Sequence, residues 1–308
     1  MSTAIVTGGT GFVGSHLVHR LVRDGMEVHV LSRSGEEPRR LRDIQHLVRL
    51  HQGDLADGER VRTIVTSIRP AFVFHLAAAP LIAGSSADSE SLVNTNLLGT
   101  VNLLSACEEV DYRCFLHTGD AFEYGPGAEA LSETGPCCPD TLHGITRLAA
   151  TLHARALAQT LGRPIVAFRL FSVYGPGDHP SRLIPRVIAA ARNNAPLPLS
   201  RPEVSRDWVY VEDVVDLYLE ACRKPKQVAG RIFNAGSGVK GTIADIVSIV
   251  LGLTGSPSEA RWGSFPAAPH DAHPWVADMR RTFAAFEWRP RTCLQSGLER
   301  TIESMATE

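Results

Sequence analysis

Short apolar runs alternate with helical segments over the first 175 residues of the chain. Such runs predict buried parallel strands, because a strand covered on both faces has apolar residues at consecutive positions. The run Thr3–Gly9 ends in glycines, and the segment after it places Leu17, Val18 and Leu21 at helical spacing before Gly25. The same reasoning predicts strands at 27–33, 48–55, 71–78, 113–120 and 164–175, and helices at 60–70, 91–110 and from 143 to 161.

Regular alternation of strand and helix predicts an α/β fold, in which a parallel sheet carries helices on both faces. From about Gly175 the alternation is lost, and helices and short strands mix irregularly. We therefore predict a main domain at 1–174 and a smaller C-terminal lobe at 175–308. The two are expected to be interleaved, because the segment 229–240 contains an apolar run that returns a strand to the main sheet.

Composition narrows the class of protein further. The chain has 308 residues, of which 44% are hydrophobic and 21% charged, and its net charge is −2. These values are typical of a globular protein and give no reason to expect nucleic-acid or membrane binding. The six cysteines show no CxxC spacing and the histidines no metal-ligand spacing, so we expect no metal site. The cysteine usage and the lack of a secretory signal pattern suggest a cytoplasmic protein.

Three glycines follow the first predicted strand and precede the first helix. Gly8, Gly11 and Gly14 form a GxxGxxG pattern at this junction. Glycines let the backbone approach a pyrophosphate closely, and the helix N-terminus offers free N–H groups and the positive end of its dipole. In an alternating chain this pattern predicts a dinucleotide-binding domain.

The end of the second strand bears on which dinucleotide is bound. An acidic residue there binds the ribose hydroxyls of NAD. This chain has Ser32 and Arg33, followed by Arg39 and Arg40, and a cation suits a 2′-phosphate. We predict a preference for NADP over NAD. An Arg33 that is merely exposed to solvent is the competing interpretation.

Ordered motifs extend over nearly the whole chain: TGGTGFVGSHL from Thr7, GDL at Gly53, HLAA at His75, NTNLLGTVNLL from Asn94, YGPG at Tyr174, SRDWVYVEDVV from Ser205, FNAGSG from Phe233 and WRPRTCLQSGLERTI from Trp288. With these motifs the chain resembles an extended short-chain dehydrogenase/reductase of the NAD-dependent epimerase/dehydratase family, of the type that modifies nucleotide sugars. The resemblance implies a Rossmann-type doubly wound parallel sheet and a substrate-binding C-terminal lobe. It also implies a homodimer, formed through the helices near 91–110 and 143–161.

The resemblance assigns roles to individual positions. It implies that Arg206 contacts a substrate diphosphate, and it places Ser172 where many family members have an asparagine that contacts the sugar nucleotide. Around the dinucleotide it implies that Phe12 and Val13 lie at the pyrophosphate turn and that Asp54 and Leu55 flank the adenine. Leu76, Ala77 and Ala78 are implied to line the ribose and phosphate channel. Asn96 is implied to lie on the nicotinamide side, and Phe171 and Val173 to pack by the nicotinamide ring.

The family's catalytic residues are replaced in this chain. Family members use a serine or threonine together with a tyrosine followed four residues later by lysine. The tyrosine position is His143, the lysine position is Arg147, and the serine/threonine position is Asp120, with Thr118 two residues earlier. The five tyrosines of the chain all lack a basic residue four positions later, so a shifted motif does not replace the missing one.

The replacements retain useful chemistry. His143 is a proton-transfer group, and Asp120 is able to orient it. Arg147 keeps a fixed cation that is able to bind a ribose hydroxyl or a phosphate of the cofactor. We predict an oxidoreductase of the epimerase, dehydratase or ketoreductase type, acting on a nucleotide-activated or keto sugar. Two alternatives stay open: a non-redox enzyme that retains the dinucleotide, and an inactive NADP(H)-binding regulatory protein. His270, Asp271 and His273 occupy a late segment, for which the resemblance implies a loop that often closes over the sugar. We interpret it as a solvated loop, and contact with the substrate is the alternative.

Overall fold

The computed structural model describes residues 2–34, 38–79, 88–127, 130–267 and 269–306. Its strands are β1 (Thr3–Thr7), β2 (Glu27–Ser32), β3 (Val48–Gln52), β4 (Phe72–His75), β5 (Cys114–Asp120), β6 (Ile165–Leu170), β7 (Ser172–Tyr174), β8 (Leu197–Pro198), β9 (Ser205–Tyr210), β10 (Ile232–Ala235), β11 (Lys240–Thr242) and β12 (Ala260–Arg261). Its helices are α1 (Phe12–Arg23), α2 (Gly58–Ile68), α3 (Ser89–Leu92), α4 (Gly99–Glu108), α5 (Leu142–Leu161), α6 (Leu183–Arg192), α7 (Val211–Arg223), α8 (Pro225–Val228), α9 (Ile243–Thr254), α10 (Arg280–Ala285) and α11 (Leu294–Ser304).

Seven parallel strands form the main sheet, in the order β10-β6-β5-β4-β1-β2-β3. The fold class predicted from the alternation of strands and helices is confirmed. The strand order reverses between β1 and β4, so the loops that leave their carboxyl ends run to opposite faces of the sheet. A crevice opens between these loops, where doubly wound sheets bind their ligands. One edge strand, β10, comes from the later part of the chain and pairs with β6.

Both faces of the sheet are buried, which explains the continuous apolar runs. Along β1, Val6 contributes to the core on the face covered by α1 and α7, whereas Ile5 contributes to the core on the face covered by α2, α4 and α5. Neighbouring side chains of a strand point to opposite faces, so an apolar residue is needed at every position.

A second sheet, of order β11-β9-β7, builds the smaller lobe together with α6, α9 and α11. The single strand predicted at 164–175 is therefore wrong. The chain leaves the main sheet after β6 and enters the lobe sheet at β7, with Phe171 between them. The N–H of Phe171 donates to the carbonyl of Ala235, and the N–H of Val173 donates to the carbonyl of Phe171, so the backbone turns at this residue.

The long helix predicted at 91–110 is also interrupted. A π-helical segment, Val93–Leu98, lies between α3 and α4. It carries Asn96, whose side chain is buried, and π-helical turns often accompany functional sites. Within the described part of the chain, a helix both long and apolar enough to cross a membrane is not found.

Candidate active site

The glycine loop after β1 is shaped to receive a phosphate. Gly8 has a φ of +70°, and a Cβ at this residue would lie 2.6 Å from the backbone nitrogen of Ala77. A Cβ at Gly14 would lie 2.1 Å from the carbonyl oxygen of Gly8. Helix α1 starts behind this loop at Phe12, without a side-chain cap. Its first N–H groups are thus available to an anion, and the loop fits a dinucleotide pyrophosphate.

A cleft of about 550 Å³ runs from this loop to the smaller lobe. Its walls come from the carboxyl ends of the central strands, from the start of α5 and from β7 and β9. Predicted site residues that line it are Gly8, Gly11, Phe12, Val13, Gly14, Leu76, Ala78, Thr118, Asp120, His143, Arg147, Phe171, Ser172, Val173 and Arg206.

Asp120 is held at the end of β5 by its own cap. Its Oδ1 accepts from the N–H of Phe122 at 2.9 Å, and its N–H donates to Oε1 of Glu123 at 3.1 Å. The other carboxylate oxygen of Glu123 accepts from Nε of Arg169 at 2.8 Å, and both of these side chains are buried. The sequence analysis did not identify the Glu123–Arg169 pair, which fixes the turn that carries Asp120.

The start of α5 brings His143 to Asp120. Thr141 caps the helix by accepting from the N–H of Gly144 at 3.1 Å. A Cβ on Gly144 would lie 2.4 Å from the carbonyl oxygen of Phe122, so glycine lets the helix approach the turn after β5. As a result, Nε2 of His143 lies 2.7 Å from Oδ2 of Asp120.

Asp120 lies between two basic groups. Arg147, one helical turn after His143, places its Nε 3.5 Å from the same Oδ2 atom. Burial acts to raise the pKa of Asp120, but the hydrogen bond and charge of His143, together with the Arg147 charge and the Phe122 N–H, outweigh it and lower that pKa. Asp120 is therefore ionised at neutral pH and acts as an anionic partner for the imidazole.

Arg147 and Thr118 are both held by neighbouring groups. The guanidinium of Arg147 donates to the carbonyl of Thr118 and, at 3.5 Å, to that of Ala77. The hydroxyl of Thr118 lies 3.0 Å from that of Tyr218, in the interior. Arg147 thus ties together the ends of β4 and β5, and Thr118 joins β5 to α7.

Several residues that were predicted to bind the cofactor, all within the described part of the chain, do not line this cleft. The side chain of Asn96 accepts from the N–H of Ala79 at 2.8 Å and donates to the hydroxyl of Thr146 at 3.1 Å. Its amide therefore joins the segment that follows β4 to helix α5. Leu55 is buried against α2 and α4. The remaining residues of this group are Ser32, Arg33, Asp54 and Ala77, of which Arg33 and Asp54 are exposed.

The interpretation of the late segment as a solvated loop is wrong for His270 and Asp271, which are partly buried, whereas His273 is exposed. His270 lines the cleft, its ring packs edge-on against Phe122, and Trp275 packs against the same phenylalanine. Asp271 forms an ion pair with Arg206. These residues come together only through tertiary packing, because Phe122 and Trp275 lie far apart in the chain. The sequence carries no spacing signal for that contact.

The glycine loop and the cleft at the carboxyl ends of parallel strands are the features that a comparison with known protein families should explain. A model of the NAD-dependent epimerase/dehydratase family matches residues 4–236. The chain belongs to this family. Curated proteins similar to the chain include the low-salt glycan biosynthesis protein Agl12 of Haloferax volcanii, which is 28% identical over 97% of this chain and 97% of its own length. A dTDP-glucose 4,6-dehydratase of Xanthomonas campestris is 26% identical over 98% of this chain and 93% of its own.

Solved structures of the epimerase/dehydratase family superpose along the whole chain. The UDP-glucose 4-epimerase of Thermus thermophilus, in complex with NAD, has a TM-score of 0.87 and 27% identity, with 99% of each chain covered. The UDP-glucuronic acid 4-epimerase of Bacillus cereus, in complex with UDP-glucuronic acid and NAD, has a TM-score of 0.87 and 25% identity, again with 99% of each chain covered. Like these relatives, the chain is an NAD(P)-dependent enzyme of the epimerase/dehydratase type.

Proposed function

We propose that the chain catalyses hydride transfer on a nucleotide-activated or keto sugar, with His143 as the proton-transfer group in place of a tyrosine. The observation that carries the proposal is the 2.7 Å contact between Nε2 of His143 and Oδ2 of Asp120, at the wall of the cleft. A carboxylate that binds one imidazole nitrogen fixes the ring orientation and favours a proton on that nitrogen.

The second imidazole nitrogen of His143 is then left to act on the substrate. Nδ1 is buried and, among the described residues, has no hydrogen-bond partner. With Nε2–H donating to Asp120, Nδ1 carries a lone pair. Once a movement of the ring or of its cover opens this buried atom to the cleft, it accepts the proton of a sugar hydroxyl during oxidation and returns it during reduction. Arg147 stabilises the negative charge of Asp120 and keeps the ends of β4 and β5 together.

The glycine loop and α1 hold the dinucleotide, which supplies the hydride acceptor when it is bound. We assign a preference for NADP to Arg33, which follows β2 directly and is exposed, so its guanidinium is accessible to a 2′-phosphate. Arg40 supports the same end of the site: its Nε donates to the carbonyl of Gly177 at 2.9 Å, and one terminal nitrogen lies 3.5 Å from the carbonyl of Thr10.

The substrate class is supported by the lobe side of the cleft. Arg206 and Ser172 line it on β9 and β7, next to His270 and the aromatic rings of Trp208 and Trp275. An arginine suits a diphosphate and aromatic rings suit a base or a sugar face. Three of the relatives named above are named for dTDP-glucose, UDP-glucose or UDP-glucuronic acid. Epimerisation, dehydration and ketoreduction all begin with this set of groups.

The outer faces of two helical segments support a homodimer. Leu142, Ile145 and Leu152 on α5 are between 37% and 49% exposed, and Val93 and Leu98 on the neighbouring π-helical segment are each 39% exposed. Ile145 and Leu152 are seven residues apart and so share one helix face. Several exposed apolar residues on neighbouring helical segments are typical of a subunit interface. We assign it to a second copy of this chain, as the family resemblance implies.

The test is to follow the nicotinamide absorbance of the purified protein during incubation with UDP- and dTDP-linked hexoses and their 4-keto derivatives. Change of the reduced band with substrate, together with formation of a sugar product, supports hydride transfer. Product formation without any reduced intermediate, and with inactive cofactor analogues equally effective, supports the non-redox alternative. Tight NADP(H) binding with neither a spectral change nor a product identifies a regulatory protein and refutes the proposal.

A further inference from the structure

Opposite charges balance in and beside the described part of the cleft. The arginines that line it each face a carboxylate, in the pairs Arg147 with Asp120, Arg182 with Asp178 and Arg206 with Asp271. Balanced pairs leave little net attraction for the negative charges of a diphosphate. Two histidines also line the cleft, His143 and His270, and the charge of a histidine depends on its protonation.

His270 lies on the lobe side of the cleft, beside the arginine that suits a diphosphate. Its Nε2 is 4.0 Å from Oδ1 of Asp271, and the same oxygen accepts from a terminal nitrogen of Arg206. The imidazole and the guanidinium are thus grouped around one carboxylate oxygen. A separation of 4.0 Å is too long for a hydrogen bond, and the side chain of His270 is 34% exposed. Its Nε2 is therefore open to a ligand.

Arg206 has room for a phosphate while Asp271 stays in place. One terminal nitrogen of its guanidinium donates to the carbonyl of Ser205 at 2.9 Å, and the other donates to Asp271. A guanidinium carries more N–H groups than these two contacts use, and the planar group is able to bind several oxygens at once. A phosphate that takes the remaining donors lies near His270, because the imidazole is grouped around the same carboxylate.

Local contacts hold His270 in position. The indole N–H of Trp275 donates to the carbonyl of His270 at 2.8 Å, and the carbonyl of Trp275 accepts from the N–H of Asp207 at 2.8 Å. Asp207 follows Arg206 in β9, so the turn that carries the histidine is tied to the strand that carries the arginine. The ring packs edge-on against Phe122, with 5.3 Å between the centroids. The two basic groups are thus presented to the cleft together.

The protonation of His270 responds to the charges around it. Burial lowers the pKa of His270, and the charge of Arg206 on β9 lowers it further. The carboxylates of Asp271, on the same turn, and of Asp140, before α5, act to raise that pKa but do not outweigh burial. The imidazole is therefore mostly neutral at pH 7 in the free protein. A further anion beside the ring favours its charged form.

We infer that His270 is a second anchor for the diphosphate of a sugar nucleotide, and that it binds this group as an imidazolium, with a proton taken up from solvent when the substrate binds. The inference rests on the proposed nucleotide-sugar substrate. The proton joins a ring nitrogen of His270 on binding and returns to solvent on release. Affinity for the diphosphate is then highest at acidic pH and falls as the pH rises through the pKa of His270 in the complex.

The experiment measures UDP-glucose and dTDP-glucose binding by calorimetry, on the NADPH-loaded full-length chain. These sugars have no keto group to accept hydride from NADPH, so only binding is observed. Both of their phosphates are esterified, so the ligand's charge stays constant, unlike that of a phosphate monoester with its second pKa of about 6. The wild-type Kd is expected to rise about five- to tenfold from about pH 5.5 to about pH 8. Near pH 6.5, buffers of different protonation enthalpy should reveal net proton uptake.

His270→Gln keeps a polar side chain that does not titrate. It is expected to bind at pH 8 nearly as the wild type does, to lose the gain at pH 5.5 and to take up no proton. His273→Gln is the matched control, because His273 is exposed on the same segment and does not line the cleft, so it should keep the wild-type pH dependence. Thermal unfolding at both pH values verifies that each variant is folded.

The same titrations name the results that overturn the inference. Binding by the wild type without proton uptake overturns it, whatever the variants do. A His270→Gln protein that keeps the pH dependence overturns it too, even if its binding is weaker at every pH, because the ring then acts only through packing. Both results leave hydride transfer intact, since the nicotinamide band tests that reaction. Absence of binding by both sugar nucleotides at every pH refutes the substrate class and the anchor together.

Discussion

Nε2 of His143 lies 2.7 Å from Oδ2 of Asp120, at the point where the first turn of α5 meets the end of β5. Both partners are held by separate local caps, Thr141 for the helix and the Phe122 N–H for the carboxylate. The contact is thus set by backbone geometry rather than by two flexible side chains. Preorganisation of this kind is what a proton-transfer pair requires.

Replacing His143 tests the pair directly. His143→Phe keeps an aromatic ring beside Phe122 but has no titratable nitrogen, so we expect kcat to fall by about 10²–10⁴, the range attributed to general acid–base groups. Asp120→Asn should reduce kcat less and leave KM for the sugar nucleotide nearly unchanged, because it misorients the imidazole without removing it. Steady-state kinetics of both variants measure this. A His143→Phe enzyme with wild-type kcat would contradict the assignment.

The glycine loop gives a prediction about cofactor affinity. Gly14→Ala places a methyl group where the structure has only 2.1 Å to the carbonyl oxygen of Gly8, so the loop must deform. We expect at least a tenfold loss of dinucleotide affinity, measured by fluorescence titration with NADPH. Gly252→Ala is the matched control: it lies in α9 with open space around it and should stabilise the helix by about 0.5–1 kcal/mol without affecting the cofactor.

Arg33 determines the cofactor preference if the assignment of NADP is correct. Arg33→Ala should weaken NADPH binding by about tenfold and leave NADH binding within a factor of about two, because only the 2′-phosphate loses a charged partner. Parallel titrations with the two reduced cofactors measure the ratio. An equal loss for both cofactors, or none for either, indicates that Arg33 is simply a solvent-exposed residue.

The apolar face of α5 gives a prediction about assembly. Ile145→Glu places a charge on the proposed subunit interface, and burying an unpaired charge is costly, so the dimer should dissociate. Size-exclusion chromatography with light scattering measures the mass. Leu47→Glu is the control, since Leu47 is 53% exposed on a different surface and its replacement should not change the mass. A monomeric wild type would refute the interface.

A buried histidine beneath the site, His75, should make the folded protein less stable at acidic pH. His75 lies between the hydroxyls of Thr7 and Thr100, at 2.7 and 2.8 Å, and burial, with the Arg147 charge nearby, lowers its pKa to about 3. The unfolded chain takes up a proton near pH 6.5 and the folded protein only near pH 3, so stability falls as the pH drops through that window.

We expect His75 to account for a loss of about 2 kcal/mol in the free energy of unfolding between about pH 7 and about pH 5. In His75→Gln that part of the pH dependence should disappear, whatever the variant's stability at neutral pH. Denaturant titrations at the two pH values measure the difference. His46→Gln, a change of an exposed histidine, should keep the wild-type dependence. An unaltered dependence in His75→Gln would show that His75 does not carry it.

Much of the fold can be predicted from the sequence, because strands that are buried on both faces must be apolar at every position. The pattern identifies the first five strands of the sheet to within a few residues of their ends. It fails at Phe171, where one apolar run serves two strands in different sheets. Nothing in the run itself marks the change, since Phe171 and Val173, on either side of it, are both apolar and both buried.

The candidate site was likewise predicted only in part from the sequence. Asp120, His143 and Arg147 follow from their positions in local motifs, and the structure brings their side chains together. The Glu123–Arg169 pair and the Asp271–Arg206 pair join segments that are 46 and 65 residues apart. Such contacts depend on how the elements pack. A buried glutamate and a loop aspartate look in the sequence like ordinary surface charges.

The return of β10 to the main sheet has a consequence for shortened forms of the protein. A chain that stops at residue 174 loses the partner of β6, and the backbone groups of that strand from Ala167 to Leu170 become an open edge. The same truncation removes α7, and with it the cover over Phe168 and Thr118. An unpaired edge with uncovered aromatic rings favours aggregation. The first 174 residues should therefore be insoluble when expressed alone, and the dinucleotide-binding half depends on the lobe that follows it for its own solubility.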